Sequence, residues 1–82
     1  MDSFEYQLRV LVRYVQDNLN PAAFAMYQPG YITIGHFDNR GQLNVIADTE
    51  MMHNIENTFD MLYDQVNRRI REAEHIEIAV EF

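Results

Sequence analysis

Glu56, Asp60 and Asp64 recur every four residues. On a helix that spacing sets their side chains in one straight row, with roughly 5–6 Å between neighbouring Cβ atoms. His53 and Asn57 border the row. Like charges one turn apart disfavour an isolated helix by a few tenths of a kcal/mol, so helix stability alone does not explain the row. Its chemistry is electrostatic: a ladder of anions on a rigid rod imitates a stretch of phosphate backbone. A basic groove that normally takes nucleic acid, with release of counterions, can take such a ladder instead. Glu50 and Asp48 lie just upstream, and Tyr63 is expected at the border between the row and the core. Together they would form a Tyr–Asp rim able to stack on and pair with arginine side chains. The competing explanation is plainer, because helix faces turned away from a core are ordinarily charged.

Other constellations carry less. The three histidines fall in different elements, and His53 with Glu50 or Glu56, or His75 with Glu77, supplies only two of the four ligands zinc normally takes. No metal site, cofactor or catalytic residue is therefore expected. A metal- or small-ligand-binding module on His53 or His75 ranks third among the functional readings. Ser3 is the only serine, and Thr33, Thr49 and Thr58 have no neighbouring base. Gly30, Gly35 and Gly41 lack the spacing and the Lys-Ser/Thr partner of a phosphate loop. No apolar pocket is evident that would raise the pKa of one carboxylate above another. The chain reads as a non-enzyme.

The elements that must position these groups are legible from periodicity. Phe4, Leu8, Leu11, Val15 and Leu19 form one helical stripe, with Asp2 and Glu5 as a capping box and Pro21 as the stop. Tyr6, Val10 and Tyr14 make a second apolar row beside it. Residues 31–37 and 43–47 are rich in β-branched and aromatic side chains, and the five residues between them include Asn39 and Gly41, which predicts a hairpin. Residues 22–27 read as a short strand turned back by Gln28-Pro29-Gly30, although Asn20-Pro21 is also a good helix start. Met52, Ile55, Phe59, Leu62, Val66 and Ile70 predict a long second helix with Asp48 as N-cap and Arg68, Arg69 and Arg71 near its end. In residues 75–82 Ile76, Ile78, Val80 and Phe82 alternate with His75, Glu77, Ala79 and Glu81, which predicts a final strand. The expected fold is a single α+β domain over residues 1–82. Two helices pack on one face of a small, mostly antiparallel sheet of three or four strands, in the order α-β-β-β-α-β.

Composition sets the sign of the partner. Thirteen acids oppose six bases among 82 residues, for a net charge of −7, and every base is arginine. That field repels nucleic acid and anionic membranes and attracts basic proteins. No apolar run approaches the length of a membrane span. The acidic start, MDSFEYQL, lacks the basic stretch of a secretion signal, and cysteine is absent; both features fit a cytoplasmic protein. In size and charge the chain resembles the anti-CRISPR and DNA-mimic inhibitors as a class, although no motif ties it to one family. That resemblance implies a small phage or mobile-element inhibitor of a nucleic-acid-binding enzyme or nuclease complex. Its contacts would be Glu56, Asp60 and Asp64, with Glu50, Tyr63 and Asp48 secondary. The alternative is a homo-oligomeric structural or regulatory module, a homodimer in the simplest case, with the Tyr6–Val10–Tyr14 row or the last strand as its seam.

Overall fold

The first helix, α1 (Ser3–Asn18), follows its apolar stripe: Leu11 and Val15 are fully buried, and Phe4, Leu8 and Leu19 pack around them. A computed structural model describes the backbone of residues 3–80 and the side chains of residues 3–74. The cap at Asp2 lies outside the described residues. α1 ends where Leu19 and Asn20 both donate to the Val15 carbonyl, at 2.8 and 3.1 Å. The Asn20 side chain then accepts the Ala22 N–H at 2.8 Å, a local turn that competes with helix, and Pro21 cannot donate to continue it.

Three strands follow, β1 (Phe24–Gln28), β2 (Tyr31–Phe37) and β3 (Leu43–Glu50), joined as an antiparallel meander in the order β1-β2-β3. The ambiguous stretch around residues 22–27 is thus a strand. Gly30 at φ 79° closes the first hairpin behind Pro29, the pairing a type II turn requires. In the second hairpin Asp38 organises the loop, its Oδ1 accepting from the Arg40 and Gln42 N–H groups at 2.8 and 2.9 Å. The register slips between Ile34 and Gly35, which leaves Ile46 as an extra residue on β3. Gly35 is required there, because a Cβ would run into the backbone carbonyl oxygen of Asn44.

The second helix, α2 (Ile55–Val80, 26 residues), lies with α1 on one face of the sheet. Ile32, Ile34 and Ala47 from the sheet meet Leu11 and Val15 of α1 and Phe59, Leu62 and Val66 of α2 in one core cluster. Each large side chain buried there contributes about 1.5–3 kcal/mol. The fold is α+β, in the order α-β-β-β-α. No helix among the described residues is long and apolar enough to cross a membrane.

The sequence expectations fail at both ends of α2. Asp48 does not cap it. β3 stays paired as far as Tyr31–Glu50, and Met51 then donates to the Gly30 carbonyl at 2.9 Å, so Asp48 is held in the sheet and Met52 lies outside the helix. Asn54 is the cap, its Oδ1 accepting the Glu56 N–H at 2.8 Å. At the other end the backbone continues as helix through Val80, so the strand predicted for residues 75–82 does not form over residues 75–80; Glu81 and Phe82 lie outside the described residues. From residue 55 onward the sequence holds neither glycine nor proline. Each added helical residue closes its own hydrogen bond, whereas a strand would need a turn and a neighbour. Arg68, Arg69 and Arg71 consequently sit in the middle of α2, and its last turn carries no base.

Candidate functional site

The residues singled out for partner contact fall in three places, two of them exposed surfaces and one the seam between the helices. Glu56, Asp60 and Asp64 occupy the side of α2 opposite its buried stripe, and all are exposed. Glu56 and Asp60 make no ion pair among the described residues. Asp64 accepts from Arg68 one turn on, at 3.0 Å, with both side chains 62% exposed. Such a solvated pair is worth at most about 1 kcal/mol, so it is readily exchanged for a partner's guanidinium. The row is bounded, however. Arg68 continues its spacing and Arg71 lies two turns beyond Asp64, so the surface changes sign along the helix.

Asp48 and Glu50 are on the sheet. They share with Tyr31 the face that the helices leave open, in the cross-strand pairs Thr33–Asp48 and Tyr31–Glu50. The negative charge of Asp48 raises the pKa of the Tyr31 phenol, with smaller contributions from desolvation, a hydrogen bond to Asp48 and the charge of Glu50. The backbone of Asp48 is clasped from α2: its N–H donates to Gln65 Oε1 at 3.2 Å, and Gln65 Nε2 donates to its carbonyl at 2.7 Å. Arg69 donates to the Val45 carbonyl at 3.2 Å. Together the two side chains occupy outward-facing groups of β3 that would otherwise invite another strand.

Tyr63 lies at the edge of the core and packs on α1. It is half-buried, its ring 5.6 Å from that of Tyr14, and burial is the first cause of its raised phenol pKa, with Tyr14 second. Tyr14 in turn donates to Asn67 Oδ1 at 2.5 Å. These contacts join α1 to α2, so Tyr14 faces inward while Tyr6 and Val10, in the same row, remain 59% and 43% exposed. Tyr63 lies between Leu62 and Asp64 in sequence, and because neighbours in a helix point about 100° apart its ring turns to Tyr14 and not along the acid row.

The described residues contain no group of three or more His, Asp or Glu side chains able to hold a metal ion. His36 is in β2 and His53 in the connection between β3 and α2, and the side chain of His75 is outside the described set. The buried polar side chains of the core are Thr49 and Thr58, and both are hydrogen-bonded. A shallow cleft of about 300 Å³ lies between β3 and α2, lined by Ile46, Gln65, Arg68, Arg69 and Glu72. Its central polar groups are already engaged in the clasp on β3. Missing from the sequence reading was the open side of the sheet; the alternation of β2 was its one available signal, since Phe37 falls opposite Ile34 in phase. No family model, curated protein or solved structure matches the chain.

Proposed function

We propose that this protein works by binding a basic protein partner, as an inhibitor that fills the nucleic-acid groove of a nuclease or other nucleic-acid-binding enzyme in the cytoplasm, in the manner of anti-CRISPR and DNA-mimic inhibitors. Glu56, Asp60 and Asp64 carry the contact. The observation that supports this is the exposure of all three carboxylates, with Glu56 and Asp60 free of ion pairs among the described residues. Four residues of helix rise about 6 Å. The row thus holds roughly half the linear charge density of one DNA strand, which spaces its charges about 3.4 Å apart along the axis. It substitutes for a short run of phosphates, and Arg68 and Arg71 limit the seat to the first turns of α2. Absence of lysine and a net charge of −7 favour the same partner sign.

The test is capture of partners from a host lysate at low and high salt, followed by Asp60→Lys with Asp64→Lys. The expected result is a basic, nucleic-acid-binding partner released by salt and lost in the double variant, with helix content unchanged. Binding that survives both charge reversals refutes this reading.

A further inference from the structure

The helices cover one face of the sheet. On the other face alternation gathers Phe24 and Met26 of β1, Tyr31 and Phe37 of β2, and Leu43 and Val45 of β3. None of these belongs to the core cluster or to the side chains packed against it. The rings of Phe24 and Phe37 stack at 5.3 Å beside Gly35, and Phe37 is still 59% exposed. Charge is confined to the two ends. Asp48 and Glu50 flank Tyr31 at one end. Arg40 lies in the loop at the other, exposed and without an ion pair among the described residues, while the Oδ1 of Asp38 is turned onto the loop's own N–H groups.

We propose that this open face is the interface between two copies of the chain, packed sheet against sheet with their strands antiparallel. A two-fold axis across the strands lays the apolar centre of each copy on that of the other, as in a two-sheet sandwich. It also brings Asp48 and Glu50 of each copy to the Arg40 end of its partner. An axis along the strands would instead set acid against acid, so charge selects the antiparallel arrangement. The face itself excludes a strongly basic partner at its centre, where it offers no carboxylate. The acid rows on α2 end up on the two outer surfaces, which keeps the bulk of the negative charge of the copies apart. Three strands about 4.8 Å apart, each rising about 3.4 Å per residue, give a footprint of roughly 14 by 24 Å. Counted on both copies it comes to roughly 700 Å², below the range of stable specific interfaces, so the dimer is weak and concentration-dependent, anchored by the stacked phenylalanines.

Sedimentation equilibrium of the full chain from roughly 5 to 500 µM reads it, a range suited to a weak interface of this size. The expected result is a reversible monomer–dimer equilibrium. Phe37→Asp raises the dissociation constant at least about thirtyfold with helix content unchanged. Arg40→Glu, in an exposed loop, weakens the dimer about fivefold, and adding Glu50→Arg restores it. Asp60→Lys with Asp64→Lys, on the far side of the sheet, leaves the constant within about threefold, so failure here and failure of the acid-row reading are distinguishable. A chain that stays monomeric throughout overturns the proposal, as does a dimer indifferent to Phe37→Asp. Failure of Glu50→Arg to rescue Arg40→Glu overturns the antiparallel arrangement, and dissociation by the α2 variant would place the seam on the wrong face.

Discussion

Thr58→Val tests how α2 begins, and with it where the carboxylate row stands. Thr58 is fully buried, and its Oγ1 donates to the Asn54 carbonyl at 3.2 Å while accepting the Met52 N–H at 3.0 Å. Valine has nearly the same shape, so the change creates no cavity and isolates the hydroxyl. The Asn54 carbonyl keeps a second partner, the Thr58 N–H at 3.2 Å. The Met52 N–H keeps none, and leaving a part-buried donor unpaired costs about 1–3 kcal/mol. The added methyl recovers up to about 0.8 kcal/mol. The net loss is therefore about 1–2 kcal/mol, or a fall of roughly 5–15 °C in Tm for a domain of this size. Urea and thermal unfolding by circular dichroism read it. Asn54→Ala should cost about 1 kcal/mol as loss of the cap, and Asp48→Ala less than about 0.5 kcal/mol. A Thr58→Val protein as stable as the parent, or an Asp48→Ala protein that loses more than Asn54→Ala, would refute this account of the helix start.

Two further outcomes follow from the sheet. Gln65→Ala removes the amide that pairs with both backbone groups of Asp48; a stability loss of about 1–2 kcal/mol is expected. Hydrogen exchange at the Asp48 amide should quicken while that at Ile34 stays protected, and an unchanged Asp48 rate would show that the clasp is not formed. On the alkaline side, the folded-state pKa of Tyr31 lies above its ordinary 10.0, raised first by the charge of Asp48. Its stabilising contribution is therefore whole below about pH 10 and disappears as pH climbs through the raised value, and Tyr63 acts with the same sign through burial. Asp48→Asn should move the Tyr31 phenol titration downward, followed by NMR of the ring; an unmoved titration would contradict the placement of the Asp48 carboxylate beside the Tyr31 phenol.

What sequence alone determined is what repeats locally. The stripe from Phe4 to Leu19 and that from Ile55 to Ile70 specify two helices, because a period near 3.6 buries one side whatever it packs against. Pro29-Gly30 and the Asp38–Gly41 loop specify two hairpins, because their turns demand those residue types. The exposure of Glu56, Asp60 and Asp64 was likewise legible, as they lie opposite the buried stripe of their own helix. Tertiary structure decided the rest. Asp48 could be cap or strand, and pairing with Thr33 across the sheet settled it. Alternation at residues 76–80 fits a strand only if a neighbour and a turn exist, and without either the backbone stays in the helix already under way. Tyr63 adjoins the acids in sequence yet packs on Tyr14, from a helix far away along the chain. The apolar face of Phe24, Met26 and Phe37 emerged only once the register of three strands was in place, since a period of two says which side chains share a face but not which face the helices will cover.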